Sequence, residues 1–345
     1  MYKLRTMLSK LITIIAIALC IYTAQSYPTQ CINPNGTAVS WFLVLKYPGN
    51  LTSNPRIAYI DSTSKDGQWT FINHYADDYA GALENTIYMI NSLKSNDSSL
   101  LLFNDEPPND PWSPTGAHAK GVIAFSNSSQ QGVYILHSAP KYPNISENGY
   151  INHSLPSNTR VYGQHFYCWS FNASILSQLI QHLIIIQPVT YYKSGLFAKI
   201  NYNTTKSFLI NQWNLANGDK NIMFSKNPDF VTFLYENIIQ PYLGVDLMTE
   251  TWGRPYLPNL CSPEGANSIM NINLLKFPTG DSWDHYSDHS KWAVTTGNNN
   301  PKLSCLCDIN RQETQNIRGG SCICNDNPQL YKALTSIIAS FDSCN

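Results

Sequence analysis

The sequence lacks the motifs that mark several large classes of enzyme. It contains no Walker loop, no dinucleotide-binding fingerprint and no cluster of carboxylates at metal-ligand spacing. It also contains no Cys-x2-Cys pair, the spacing that cysteine-rich zinc sites use. Nucleotide-dependent, nicotinamide-dependent and metal-dependent chemistry are therefore disfavoured, and we expect neither a cofactor nor a metal ion.

No apolar run after the N-terminal region is long enough to cross a membrane. The run near the N-terminus, Leu11–Tyr22, is itself too short to span a bilayer. Basic residues precede it, and Ala24-Gln25-Ser26 follows it as a small-x-small cleavage site, which is the pattern of a signal peptide. We expect a signal peptide over residues 1–26, with a signal anchor as the alternative. The mature chain is then lysosomal or secreted and does not insert into a membrane.

Eight Asn-x-Ser/Thr sequons agree with passage through the secretory pathway. All of them precede residue 210, so we expect less freely exposed surface in the C-terminal part. The candidate glycosylation sites are Asn35, Asn50, Asn96, Asn127, Asn144, Asn152, Asn172 and Asn203.

The cysteines indicate an oxidising compartment. One of the nine lies in the expected signal peptide, and the remaining eight are an even number suited to disulfides. Two Cys-x-Cys pairs, Cys305 with Cys307 and Cys322 with Cys324, are spaced symmetrically. In an antiparallel hairpin this register sets Cys305 opposite Cys324 and Cys307 opposite Cys322 on one face, so we expect two adjacent disulfides.

Two His-x-Lys pairs are the main chemical signal. His118 precedes Lys120, and His289 precedes Lys291. On a strand this spacing puts both side chains on one face, where each pair would present an imidazole and an ammonium together. Two such pairs around one phosphorus would supply a nucleophile, a general acid and two cations, enough to cleave a phosphodiester without a metal. From spacing alone, the alternative is a partly buried histidine beside a solvated lysine.

Further motifs give these pairs a context. They run in the order Cys31 to Trp41-Phe42, Phe103-Asn104-Asp105-Glu106-Pro107-Pro108, His118-Ala119-Lys120-Gly121, His137-Ser138-Ala139-Pro140 with Tyr142-Pro143, Tyr162-Gly163-Gln164, Asp288-His289-Ser290-Lys291-Trp292, Asp308-Ile309-Asn310-Arg311 and Arg318-Gly319-Gly320. This series resembles the deoxyribonuclease II family over essentially the whole mature chain. One departure from the related phospholipase D pattern is the absence of an aspartate in Gly121–Ser126.

The resemblance implies acid endonuclease activity on DNA. It implies that His289 is the nucleophile and His118 the general acid, while Lys120 and Lys291 hold the phosphate oxygens. The residues themselves permit the reverse assignment of the two histidines. Attack by a protein side chain would need no 2′-hydroxyl, so DNA can be cut through a phosphohistidine that leaves 3′-phosphate and 5′-hydroxyl ends.

The fold expected is mixed α/β (α+β) and similar to phospholipase D. It has two pseudo-symmetric lobes, each a β-sheet flanked by helices, packed as one catalytic unit. Residues 27–200 form the N-terminal lobe with the first His-x-Lys pair, and residues 201–345 form the C-terminal lobe with the second. The resemblance adds the disulfides Cys31–Cys168 and Cys261–Cys344.

Apolar and aromatic patterns predict the individual elements. The predicted strands are Val39–Lys46, Leu100–Phe103, Gly121–Ser126, Gly132–His137, Phe166–Phe171, Ile269–Phe277, Lys291–Thr295 and Leu303–Asn310. The predicted helices are Ala173–Ile186, Phe230–Gln240 and Gln329–Phe341.

Other polar residues are candidates for positioning the substrate. The disulfide-anchored hairpin would carry Asp308, Asn310 and Arg311 on a rigid loop. His137 is a candidate counterpart in the first half, and Gln164 lies in a turn-like element. The alternative for the hairpin is that it only stabilises a small sheet.

Net charge connects the chain to acidic surroundings. The formal charge is −1 with neutral histidines, and removal of the three cations of the leader leaves about −4. If most of the eight histidines were protonated at about pH 5, the charge would become roughly +4. We therefore expect DNA affinity to increase in acid.

The function expected is a metal-independent acid endodeoxyribonuclease that takes part in DNA catabolism. Its partner would be double-stranded and also single-stranded DNA, with no obligate protein partner. One alternative is a phospholipase D-like phosphodiesterase that acts on lipid head groups. The other is a secreted nuclease-derived protein that binds DNA or a host surface without activity.

Overall fold

The structure is a computed structural model that describes residues 29–49, 51, 56–73, 81–255, 257–263, 266–297 and 300–344. The expected signal peptide, the sequon at Asn50 and His74 lie outside the described residues. The described chain is a mixed α/β protein in which two large sheets dominate. Four α-helices lie among the described residues, namely α1 (Ala82–Asn91), α2 (Ala173–Ile186), α3 (Gln240–Leu243) and α4 (Pro328–Ser336).

The first half of the chain forms an eight-stranded sheet. Its strands, with two small flanking hairpins, are β1 (Cys31–Ile32), β2 (Ala38–Val39), β3 (Trp41–Lys46), β4 (Ile57–Asp61), β5 (Thr70–Ile72), β6 (Ser98–Asn104), β7 (Lys120–Ser126), β8 (Gln131–His137), β9 (Asn144–Ile145), β10 (Ile151–Asn152), β11 (Gln164–Asn172) and β12 (Thr190–Lys193). The order in the sheet is β12-β6-β7-β8-β11-β3-β4-β5, with every neighbouring pair antiparallel.

The second half forms a nine-stranded sheet. Its strands are β13 (Phe208–Asn214), β14 (Lys220–Lys226), β15 (Asp246–Glu250), β16 (Ile269–Lys276), β17 (Ser282–Asp284), β18 (Trp292–Thr296), β19 (Ser304–Cys307), β20 (Gly320–Asn325) and β21 (Ile338–Phe341). The order is β13-β14-β20-β19-β18-β15-β16-β17, and β21 also pairs with β16. Strands β15 and β16 run parallel, whereas the other neighbours are antiparallel.

One hydrophobic cluster joins the inner faces of both sheets. Along β3 the side chains alternate, so that Trp41 and Leu43 enter this cluster while Phe42 packs on the outer face beneath α1. The second sheet contributes Trp292 and Leu306 to the same cluster. Burial of each such side chain stabilises the fold by about 1.5–3 kcal/mol, so the shared core fixes the two sheets against each other.

Helix α2 agrees with its sequence prediction at both ends. Its N-cap Asn172 accepts a hydrogen bond from the amide of Ser174, and its apolar face packs into the shared core. It ends at Gln187, a left-handed residue that precedes Pro188.

The helix predicted over Gln329–Phe341 is wrong in its last part. Helix α4 ends at Ser336, because Ile338–Phe341 pairs with β16 as the edge strand β21. The helix predicted over Phe230–Gln240 begins later, with a π-helical turn over Tyr235–Ile239 that continues into α3.

All four expected disulfides are present. Cys31–Cys168 ties the opening strand to the centre of the first sheet, and Cys261–Cys344 holds the chain's end. Strands β19 and β20 pair Cys305 with Cys324 and Cys307 with Cys322, which is the register expected from the symmetric spacing.

Candidate active site

Both His-x-Lys pairs lie where a central strand begins. Lys120 is the first residue of β7, and Lys291 directly precedes β18. The residues just before the histidines form parallel bridges to the other half of the chain, Ala117 with Gly319 and Asp288 with Gly163. The two pairs are therefore brought together at the junction between the sheets.

His118 is held by backbone atoms of the C-terminal half. Its amide donates to the carbonyl of Gly319 at 2.8 Å, and its Nδ1 lies 2.8 Å from the carbonyl oxygen of Asp308. Because a carbonyl can only accept, Nδ1 carries the hydrogen, and Nε2 is the atom that gains or releases a proton. His118 is half-buried, and its ring lines a cleft of about 600 Å³.

His289 is held by the N-terminal half in return. Its amide donates to the carbonyl of Gly163 at 2.9 Å. The ring stacks on Tyr162 at a centroid distance of 4.2 Å, and Trp252 lies 4.7 Å away. Its Nε2 is buried and has no hydrogen-bond partner among the described residues.

The two lysines are almost fully buried at the same place. The ammonium of Lys120 pairs with Asp105, whose second oxygen accepts from Arg318 at 3.2 Å. The ammonium of Lys291 donates to the carbonyl of His289 at 2.7 Å. Two neighbouring ammoniums can bind an anion such as a phosphodiester. The charge of Lys291 is partly offset by Asp105, Asp288 and Asp308.

The titration of these groups shows their proximity. Burial lowers the pKa of His289 to about 2, and the charges of Lys291, Lys120 and His118 add to the shift. Burial likewise lowers the pKa of His118 to about 3, against the opposing charge of Asp105. Burial and the nearby Lys120 lower the pKa of Lys291 to about 7. The four groups therefore share one electrostatic environment.

The expected reversal of charge through the histidines is wrong. Five of the eight, His118, His137, His165, His182 and His289, have lowered pKa values because burial disfavours the imidazolium. Burial therefore opposes the gain of positive charge by these five rings, which the expected reversal would require.

The structure places the guanidinium of Arg311 inside the protein. It is buried and bonds to Glu236 at 2.7 Å and Asn271 at 2.8 Å, as well as to the carbonyls of Leu257 and Pro258. These bonds use four of its five N–H donors, so Arg311 fastens the hairpin loop to neighbouring segments of the C-terminal half.

Asp308 and Asn310 support the site from behind. The carboxyl of Asp308 bonds to the amide and hydroxyl of Ser321, each at 2.6 Å, while its carbonyl holds His118. Asn310 is buried and accepts from the amide of Trp252 at 3.3 Å. Both residues position groups of the site from within the protein.

His137 and Gln164 are also buried beneath the site. His137 stacks on Phe166, and neither of its ring nitrogens has a hydrogen-bond partner among the described residues. Gln164 accepts from the hydroxyl of Ser138 at 2.5 Å. The structure thus places both below the cleft surface, with 0% and 1% exposure.

Sequence reasoning missed the roles of several neighbours. Asp105 and Arg318 occur in the family motifs, but nothing in the sequence indicates that they bind each other across 213 positions. Trp252 and His165 lie outside these family motifs, yet Trp252 lies 4.7 Å from the ring of His289, and His165 accepts from the amide of Lys291 at 3.2 Å. The sequence signal for Asp105 is its position directly after the apolar strand that ends at Asn104, where a polar side chain can reach a site at the end of the sheet.

The cleft in front of His118 is lined from both halves of the chain. Trp112, Pro114 and Arg318 form one side, and Trp252 and Arg254 form another. Among the described residues, no group of three or more histidine, cysteine or acidic side chains is arranged to hold a metal ion. The described helices include none with the length and apolarity required to cross a bilayer. Behind this cleft the structure brings two histidines and two lysines together, His118 with Lys120 and His289 with Lys291.

Comparison with known proteins identifies the family. The Deoxyribonuclease II family profile matches residues 30–344. The chain is 28% identical to deoxyribonuclease-2-beta of Rattus norvegicus over 92% of this chain and 93% of that protein. It is 29% identical to deoxyribonuclease-2-alpha of Sus scrofa, with 91% and 90% covered, and 28% identical to Plancitoxin-1 of Acanthaster planci, with 97% and 99% covered. The chain belongs to the deoxyribonuclease II family and is a nuclease of the hydrolase class.

Proposed function

We propose that this protein is an acid endodeoxyribonuclease that hydrolyses DNA through a phosphohistidine and requires no metal ion. The observation that supports it best is the meeting of His118, Lys120, His289 and Lys291 at one junction, with the Nε2 of His289 free. The resemblance to the deoxyribonuclease-2 proteins supports DNA as the substrate. Within this proposal, both double-stranded and single-stranded DNA are substrates.

The first step is attack by His289. The Nε2 lone pair bonds to phosphorus, and the bond between phosphorus and the 5′-oxygen breaks. The Nε2 proton of protonated His118 moves to that oxygen, so a 5′-hydroxyl leaves. Lys120 and Lys291 offset the negative charge that grows on the non-bridging oxygens.

The second step releases the other end. Water gives a proton to the Nε2 of His118 and bonds to phosphorus, and the bond between phosphorus and His289 breaks. The product is a 3′-phosphate, and both histidines return to their starting protonation states. No hydroxyl of the substrate takes part, so DNA is cut without a 2′-hydroxyl.

The protonation states explain a need for acid. His289 attacks as a neutral imidazole, and its pKa of about 2 keeps it neutral at pH 5. His118 must carry a proton although its pKa is about 3 in the free protein. A bound phosphodiester brings a negative charge to His118 and raises its pKa, but the protonated fraction still falls as pH rises. Cleavage should therefore weaken towards neutral pH.

The wider setting of the protein follows from the same proposal. Residues 1–26 act as a signal peptide, and the mature protein is lysosomal or secreted and N-glycosylated. Residues 27–200 and 201–345 are two lobes of one catalytic unit. In support, the strands of the eight-stranded sheet lie between residues 41 and 193, and those of the nine-stranded sheet between residues 208 and 341.

The test is plasmid cleavage at pH 5 in excess EDTA, with analysis of the ends. We expect nicking and linearisation that chelation leaves unchanged, and fragments that a polymerase extends only after phosphatase treatment. His289→Ala and His118→Ala should each lose at least about 100-fold, because a positioned proton-transfer group contributes about 10²- to 10⁴-fold. Activity that EDTA removes and magnesium or zinc restores would overturn the mechanism.

A further inference from the structure

The ring of Tyr162 lies flat against the imidazole of His289. Their centroids are 4.2 Å apart and their planes differ by 10°. Trp252 lies 4.7 Å from the imidazole and 6.3 Å from Tyr162. These three separations form a nearly right-angled triangle with His289 at the right angle. Trp252 therefore lies beside the imidazole, and Tyr162 covers one of its faces.

The backbone next to Tyr162 fixes this stack. Gly163 donates to the carbonyl of Ser287 at 2.8 Å, and its own carbonyl accepts from the amide of His289 at 2.9 Å. A Cβ at Gly163 would lie only 2.6 Å from a carboxyl oxygen of Asp288, so the two segments approach too closely for any larger residue. The junction between the sheets therefore holds the backbone that carries Tyr162 against the segment of His289.

The surroundings of His289 otherwise disfavour a positive charge. Lys291, Lys120 and Lys46 all oppose an imidazolium there. The Nε2 of His289 has no hydrogen-bond partner among the described residues, and the charges that act on the ring are those of cations. Yet bond formation between Nε2 and phosphorus leaves the imidazole ring positively charged while both ring nitrogens are substituted.

We propose that Tyr162 is a positioning residue whose ring face stabilises the positive charge that develops on His289 as its Nε2 bonds to phosphorus. The negative face of an aromatic ring attracts a cation within about 6 Å of its centroid, by about 0.5–2 kcal/mol. The ring of Tyr162 covers a face of the imidazole and does not occupy Nε2. Its attraction for the imidazole grows only as positive charge develops in the transition state. This inference rests on the proposed function and adds a residue outside the two His-x-Lys pairs.

The test compares Tyr162→Phe, which keeps the ring face, with Tyr162→Leu, which removes it. At pH 5 we expect Tyr162→Phe to keep kcat within about twofold. Tyr162→Leu should lower kcat by about 10-fold with little change in KM, since 1.4 kcal/mol corresponds to a factor of ten. Tyr242→Leu is the control, because Tyr242 makes an aromatic contact with Phe224 away from the site.

Single-turnover reactions with acid quench separate this role from general loosening of the site. Loss of the ring face destabilises the phosphorylated histidine, so in Tyr162→Leu the phosphoenzyme should form more slowly and break down no more slowly than in the wild type. An equal kcat in wild type, Tyr162→Phe and Tyr162→Leu would overturn the inference. So would a Tyr162→Leu variant in which formation and breakdown of the phosphoenzyme are slowed equally. A Tyr162→Phe variant as slow as Tyr162→Leu would also overturn it, since the hydroxyl would then be responsible. A wild-type protein that does not cut DNA would instead refute the proposed function.

Discussion

Replacement of Asp105 by asparagine removes the single carboxylate that pairs with two buried cations. Asp105 is fully buried, Lys120 and Arg318 are 4% exposed, and both cations contact its carboxyl oxygens. Asparagine keeps the shape of the side chain but leaves the two cations without this counter-charge. Loss of one partner from a buried ion pair typically destabilises by about 3–5 kcal/mol, so we expect a loss of that size for Asp105→Asn.

The dependence of this loss on pH follows from the pKa of Asp105. Burial alone would raise it, but Lys120, His118 and Arg318 outweigh burial and hold the pKa well below its usual range. Because the folded-state pKa is lowered, the ionised carboxylate stabilises the fold at every pH above the unfolded-state pKa of about 3.9. This stabilisation is lost as the pH falls from there towards the folded-state pKa. The gap between wild type and Asp105→Asn should therefore be constant from pH 7 to pH 5 and narrow below about pH 4.

Thermal and urea unfolding across this pH range measure the gap. A loss of 3 kcal/mol corresponds to a fall of roughly 5 °C in melting temperature for a protein of this size. Asp110→Asn is the matched control, because Asp110 is exposed in the same loop region. A loss below about 1 kcal/mol at pH 6, the range of exposed ion pairs, would refute the reasoning. So would a gap that widens in acid.

Two further predictions concern the cleft and the hairpin. Trp112 is 56% exposed at the cleft and rests on the guanidinium of Arg318, so its free face can stack a base. Trp112→Ala should raise KM for single-stranded oligonucleotides about 10-fold at unchanged kcat, and an unchanged KM would contradict this role. Burial raises the pKa of Asp308 to about 7, so stability is full below pH 4 and declines as pH rises through 7. The side-chain amide of the Asp308→Asn variant can keep both bonds to Ser321 but does not titrate. In urea unfolding, the free energy of unfolding of wild type should therefore fall between pH 4 and pH 8 by up to about 4 kcal/mol more than that of Asp308→Asn. An equal fall in both proteins would contradict the raised pKa of Asp308.

Sequence reasoning succeeded where the determinants are local. The bounds of α2 follow from its apolar period, its cap residue and the proline after it. The pairing of Cys305 with Cys324 follows from symmetric spacing, because an antiparallel register is a local property of a hairpin. The His-x-Lys pairs could likewise be recognised as short motifs.

Predictions failed where distant partners decide the outcome. The ion pair of Arg311 could not be foreseen, because its partner Glu236 lies 75 positions away and outside the motif that contains Arg311. Ile338–Phe341 continued a helical pattern, yet the exposed edge of β16 offered backbone hydrogen bonds to it. The histidines looked free to titrate, because burial of each ring is a property of the packed sheets.

The crossed support of the two histidines has a consequence for the biogenesis of the enzyme. His118 depends on carbonyls from positions 308 and 319, and His289 depends on the carbonyl of Gly163. Contacts of such high contact order form late, after the loop-closure entropy of the long intervening chain has been overcome. The candidate site is therefore complete only after both halves of the chain have folded and docked, so we expect an incompletely folded chain to lack nuclease activity.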